Sequence, residues 1–153
     1  MVPDPGVLIS AAISEKGAPW EVLRRWMAGE FDLVVSPRLL HKLQSVLARG
    51  KFHRYLTYED ATEYVSWPHH EAEVVRDPAE SVVRGAVEAD PDDEYLVGLA
   101  GTLGGGDSYL LSVDRHLLDL PERAVKDSEG RTLARILTPG AFLREIEQKY
   151  NSG

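Results

Sequence analysis

Cysteine is absent from all 153 residues of the chain. That absence excludes disulfides, thiol catalysis and the common structural zinc sites, all of which need the sulfur. It is compatible with a reducing compartment, and a cytoplasmic location is expected. Long apolar runs are missing too: none approaches the ~20 residues that span a bilayer, and the N-terminus lacks the basic stretch and apolar core of a secretory signal. No membrane partner is expected. Between Asp32 and Glu59 there is no acidic residue, whereas Arg38, Lys42, Arg49, Lys51 and Arg54 fall there together with His41 and His53. That window carries +5 in a chain of net charge −8, which leaves −13 elsewhere. The total argues against indiscriminate binding to polyanions, because phosphate contacts need clustered cations. The basic window itself is either the solvated face of a helix or a phosphate-tracking surface, and its distance from any acidic pocket decides between them.

What the chain has is alternation. A hydrophobic content of 43% fills one core without staples, and a single domain over residues 1–150 is expected. The run Val7-Leu-Ile-Ser-Ala-Ala-Ile13 does not discriminate helix from strand by period, but Pro5 suits a first helical position and favours helix. Trp20, Leu23 and Met27, with Trp26 beside them, predict a second helix closed by Gly29. Phe31-Asp-Leu-Val-Val35 reads as a buried strand passing directly into a helix capped by Ser36-Pro37 and carrying Leu39, Leu40, Leu43, Val46 and Leu47. Thr57 is expected to cap a further helix ended by Pro68, Ala72–Val75 to form a weak strand, and the polar stretch beyond it to loop. From Asp93 the positions Leu96, Val97, Leu99, Ala100 and Leu103 predict a helix, which Gly104-Gly-Gly106 stops. Those glycines follow a helix rather than a strand, the reverse of the usual phosphate loops, and are read as a C-cap. Tyr109–Val113 reads as a buried strand, Arg135–Leu137 as a final strand, and Thr138-Pro139 as the cap of a last helix. Strands alternating with helices imply a parallel sheet covered on both faces.

Acids stand where such a sheet binds ligands. Asp4 and Asp114 each follow an apolar strand, and the cluster Asp90-Pro-Asp92-Asp93-Glu94 opens a helix. In open α/β sheets ligands sit beyond the carboxyl ends of the strands. Carboxylates gathered there repel one another and raise at least one pKa unless a cation joins them. Oxygen-only ligands select a hard ion such as Mg²⁺ or Mn²⁺, whose remaining positions engage water and phosphate. Phosphodiester hydrolysis fits that chemistry, although any single Asp at a helix N-terminus is more commonly just a cap.

The string Asp4-Pro-Gly-Val-Leu-Ile-Ser-Ala resembles the opening Asp-Thr-Asn-Val-Leu-Ile-Ser of PIN-domain ribonucleases, in the Asp-Pro-Gly variant of a toxin–antitoxin subgroup. Similarity continues through Gly17-Ala-Pro, Phe31-Asp-Leu-Val-Val-Ser-Pro, Val46-Leu-Ala-Arg-Gly-Lys-Phe, Asp90-Pro-Asp-Asp-Glu-Tyr-Leu-Val, Ser112-Val-Asp-Arg-His-Leu-Leu-Asp-Leu and Ile136-Leu-Thr-Pro-Gly-Ala-Phe-Leu. The resemblance implies a PIN-like three-layer α/β/α sandwich with a central parallel sheet of about four to five strands. It also implies an endoribonuclease dependent on Mg²⁺ or Mn²⁺, acting on RNA, with a cognate antitoxin protein and a homodimer as possible partners. Carried over by position, Asp4, Asp93 and Asp114 are the first, third and fourth acids, catalytic and metal-binding. Glu94 competes for the third place and is a further metal candidate. Ser112 matches a small hydroxyl residue that often precedes the fourth acid.

Departures from the pattern carry equal weight. The second acid, a glutamate in the family, falls on Lys42. An ammonium there removes a ligand or water anchor and repels the ion, or else holds substrate phosphate or neutralises the acids. His116 stands where an auxiliary aspartate is common and reads as a solvated loop residue, a ligand or a phosphate contact, and Arg38 opens the basic window. Lys42, Ser112, His116 and Arg38 are thus the substrate-binding candidates. Pro3 and the short lead before Asp4 are awkward in a central strand, and the start is expected to be slightly truncated. Two readings remain open: a working endoribonuclease, or a catalytically impaired PIN-like domain that binds RNA or protein without cutting. A phosphatase of another α/β family is disfavoured, because Gly6 stands where a second aspartate would be needed.

Overall fold

Proline marks where strand gives way to helix. In the computed structural model, which describes residues 1–14, 16–49, 72–78, 94–103 and 108–152, β1 (Val2–Pro3) runs into α1 (Pro5–Ile13), and β2 (Val34–Val35) into α3 (Pro37–Leu47). Both helices start on a proline whose missing N–H has no helical partner to lose. Ser36 completes the second start, its Oγ accepting from the backbone N of Leu39 at 3.2 Å. Between them lies α2 (Ala18–Met27), which ends on Ala28 and Gly29. Gly29 adopts φ +83°; its N–H donates to Trp26 O at 2.9 Å and that of Glu30 to Arg25 O at 3.2 Å. That pair of bonds is a Schellman ending, whose left-handed residue favours glycine.

The later chain contributes β3 (Glu73–Val74), α4 (Glu94–Gly101), β4 (Tyr109–Leu111), a short α5 (Arg115–Leu118), a 3₁₀ turn at Pro121–Arg123, β5 (Ala124–Lys126), β6 (Thr132–Leu137) and α6 (Pro139–Ser152). Thr138 caps α6, its Oγ1 accepting from Ala141 N at 3.2 Å. The main sheet has the order β1-β4-β6-β5, with β5 alone antiparallel, and β2 pairs with β3 separately. Pro3 explains the division. Met1 turns both its amino group and its carbonyl toward the second strand, to Asp32 O at 2.9 Å and from Val34 N at 2.8 Å. Backbone donors alternate sides along a strand, so the next residue facing that way is Pro3, which has no N–H to continue the ladder. Its placement at the edge of the four-stranded sheet is how the strand tolerates it.

Helices α1, α2, α3 and α6 pack on one another, while α4 packs against β1, β4, β5 and β6, giving helix, sheet and helix layers. The core joins Leu8, Leu43, Leu96, Leu99, Leu110, Leu111 and Ile136. Several expectations change in detail. Strand pairing covers only Val34–Val35 and stops at Leu111, while β6 starts earlier, at Thr132. On α2 the buried residues are Val22, Leu23 and Trp26, and Met27 is 48% exposed. The strand Ala124–Lys126 was not expected from the sequence. The helix expected from Thr57, the acids Asp90, Asp92 and Asp93, the cations Lys51 and Arg54, and Gly104–Gly106 lie outside the described residues. Among the described residues no helix is long and apolar enough to cross a membrane.

Candidate acidic site at the carboxyl edge of the sheet

Register brings two acids to one edge. Pro3 pairs with Leu111 across β1 and β4, so the residues that follow, Asp4 and Ser112, leave the sheet side by side. The ladder runs one step further through Asp4 N to Leu111 O at 2.8 Å. Ser112 is wholly buried, and its hydroxyl donates to Asp4 Oδ2 at 2.8 Å while its Oγ accepts from the backbone N of Asp114 at 2.9 Å. Each carboxylate also caps the helix that it precedes. Asp4 Oδ1 accepts from Gly6 N at 3.0 Å, and Asp114 Oδ1 accepts from His116 N at 2.9 Å. Asp4, Ser112 and Asp114 therefore form one hydrogen-bonded chain. Val113, between the last two, is 54% exposed beside it.

Burial pushes the Asp4 carboxyl above the ordinary carboxylate range. The Gly6 N–H and the Ser112 hydroxyl oppose that shift, the charge of Asp114 adds to it, and Lys42 opposes it weakly. The last two effects place Asp114 and Lys42 within electrostatic reach of Asp4. Two carboxylates in mutual repulsion, one of them only 8% exposed, are an all-oxygen donor set suited to a hard divalent cation. Among the described residues no group of three His, Cys, Asp or Glu side chains could hold a metal ion. Glu94, half-buried at the start of α4, is thus not gathered with Asp4 and Asp114 into such a group, and Asp93 lies outside the described residues.

The cations come from α3. Arg38, exposed, places its guanidinium 4.7 Å from the centroid of the Tyr95 ring, and Lys42, half-buried, its ammonium 5.7 Å from the same ring. Tyr95 is 1% exposed and is the second residue of α4. The start of α3 is held from outside by Asp77, whose Oδ2 accepts from Arg38 N at 3.0 Å. His116 is exposed on α5 and touches the acid chain through its backbone N–H. Sequence reasoning singled out neither Tyr95 nor Asp77. Asp77 carried one signal, an Asp-Pro pair just after an apolar strand. Tyr95 carried none beyond following the acidic run.

A family model described as PIN domain matches residues 1–116. The crystal structure of PAE2754 from Pyrobaculum aerophilum is similar in fold, with a TM-score of 0.62 at 17% identity over 96% of this chain and 94% of that one. No match is found among curated proteins. With acids at the carboxyl edge of a mostly parallel sheet and most of its length matched by that family model, the chain belongs to the PIN-domain family.

Proposed function

We propose that the chain is an endoribonuclease dependent on Mg²⁺ or Mn²⁺ and the toxin half of a toxin–antitoxin pair, acting as one unit over residues 1–150. PIN domains have a nuclease-like fold and generally use divalent metal ions. The observation that carries the reading is the chain Asp4–Ser112–Asp114 at the sheet edge, in which a buried hydroxyl joins the Asp4 carboxylate to the backbone N–H of Asp114. Asp4 and Asp114 would hold the ion, with Asp93 as the third acid and Glu94 as the alternative to it. A bound divalent ion supplies charge neutralisation at the phosphate and an acidified water. The protein's own part is orientation. Ser112 aims Asp4, the helix caps fix both carboxylates, and Arg38, Lys42 and His116 line the side from which a phosphodiester backbone approaches.

A second reading has its own observation. Lys42 draws on the charge of Asp4, so part of the acid repulsion is met by an internal cation, which favours a domain that binds RNA with weakened cutting. Cleavage of a mixed single-stranded RNA pool with added Mn²⁺, with Asp114→Asn as control, separates the two. Metal-stimulated cleavage that disappears in the control supports the nuclease; binding with no cleavage at any ion concentration rejects it.

A further inference from the structure

The first turn of α3 has already committed its backbone donors. Arg38 N is bound by the Asp77 carboxylate and Leu39 N by Ser36 Oγ. An incoming anion therefore meets side chains at this helix start. Two of them are cations four residues apart, a spacing that puts them on one face of a helix on successive turns. Both lie against one aromatic ring, at 4.7 Å and 5.7 Å from its centroid, within the ~6 Å over which a ring face attracts a cation. The ring is fixed, because Tyr95 is buried in the core on α4. One fixed ring thus gives the two cationic side chains a shared reference at the start of α3.

We propose that Arg38 and Lys42, laid across the ring of Tyr95, form a clamp for the phosphates of single-stranded RNA, and that Tyr95 is the positioning residue that aims them. The inference rests on the reading of RNA as the substrate class given above. It adds that the grip on the backbone needs no divalent ion. A carboxylate at position 42 would repel phosphate until a metal bridged the two; a lysine there attracts it directly. Binding and cutting therefore separate in this chain.

The test is fluorescence anisotropy of a labelled single-stranded oligoribonucleotide in EDTA, over a salt series. Each cation that neutralises a phosphate of a single strand contributes about 0.7 to the slope of log affinity against log salt. Arg38→Gln and Lys42→Gln should each flatten the slope by about that amount. Tyr95→Leu should weaken binding roughly 2- to 30-fold and flatten the slope as well, whereas Tyr95→Phe, which keeps the ring, should bind as wild type does. An unchanged slope in both glutamine variants overturns the clamp, and wild-type binding by a folded Tyr95→Leu protein overturns the positioning role. The glutamine variants lie at exposed and half-buried positions and decide the clamp even where the leucine variant fails to fold. Mn²⁺-dependent cleavage, measured in parallel, keeps the two proposals apart. Flattened slopes without cleavage uphold the clamp and reject the nuclease, and cleavage with unchanged slopes does the reverse.

Discussion

Replacing Asp4 by asparagine should make the metal-free protein more stable and remove its response to divalent ions. The carboxyl is 8% exposed and its pKa is raised, chiefly by burial. A group protonated more readily in the folded than in the unfolded chain contributes stability below the ordinary carboxylate value of 3.8. That contribution is lost as pH rises through the folded pKa. Near neutral pH the charge is therefore a burden on the folded state. Asparagine removes it, keeps an oxygen for Gly6 N–H, and turns an N–H toward Ser112, so one hydrogen bond of about 1 kcal/mol is at stake against the whole desolvation and repulsion. A net gain of about 1 kcal/mol is typical when a destabilised functional group is relaxed, and at this chain length it corresponds to about 2–4 °C in Tm. Wild type should instead gain about 2.7 kcal/mol from an ion at 100 times its Kd, or roughly 5–10 °C. Differential scanning fluorimetry of both proteins with EDTA or Mn²⁺, at acidic and neutral pH, reads the net cost of the Asp4 charge and the gain from the ion. The gap between variant and wild type in EDTA should widen as pH rises. A wild type as stable as the variant at neutral pH, or an equal Mn²⁺ response in both, refutes the reasoning.

Three further outcomes follow from the same geometry. Lys42→Glu should lower metal-free stability, because an attraction on Asp4 becomes a repulsion, and should raise Mn²⁺ affinity roughly 10- to 100-fold, the scale on which neighbours of a metal site act; calorimetric titration with unchanged affinity contradicts it. Ser112→Ala should cost about 1–3 kcal/mol in urea unfolding, since it strips a buried hydroxyl from both Asp4 and the Asp114 N–H, and should lower Mn²⁺-dependent cleavage beyond what the stability loss accounts for. Gly29→Ala should cost about 1–2 kcal/mol with no effect on RNA binding, because Gly29 stands at φ +83° and an added Cβ would meet nothing within 4 Å, which leaves backbone strain as the whole cost; a neutral result by urea titration would show that the end of α2 can rearrange.

Helix starts were the most legible part of the fold. Pro5, Ser36-Pro37 and Thr138-Pro139 are local devices, and the structure uses each where the chemistry of capping places it. The apolar stripes named much of the core, but on α2 the sequence stripe Trp20, Leu23 and Met27 holds only at Leu23, which is buried together with Val22 and Trp26, while Met27 is exposed. An i, i+3, i+7 pattern with a further apolar residue beside it admits two faces, and only the packing of α2 on α1 and α6 chooses between them. The strand Ala124–Lys126 is not legible in the sequence because it is short, alternates weakly and owes its existence to pairing with β6. Pro3 was read as a difficulty for a central strand, when what matters is which side its missing N–H faces.

The site divides along the same line. Asp4 and Asp114 were legible because each follows a strand, and parallel register sends the carboxyl ends of neighbouring strands to the same edge. Ser112 was legible only through resemblance, and its role as the bridge between the acids is a product of register. Lys42 was legible as a departure, but a departure alone cannot say whether a cation turns away from the acids or toward them. The structure puts its ammonium 5.7 Å from the centroid of the Tyr95 ring and within electrostatic reach of Asp4. Tyr95 could not be found from sequence, since nothing local to α4 announces two cations arriving from a helix more than fifty positions earlier. An internal ammonium offsets some of the repulsion that would otherwise draw in a metal, while the same ammonium adds attraction for phosphate. Under the proposed function, a lysine at position 42 in place of an acid would weaken the grip on an ion and strengthen the grip on phosphate, so the ratio of Mn²⁺ affinity to RNA affinity is the quantity that a Lys42→Glu variant should change most.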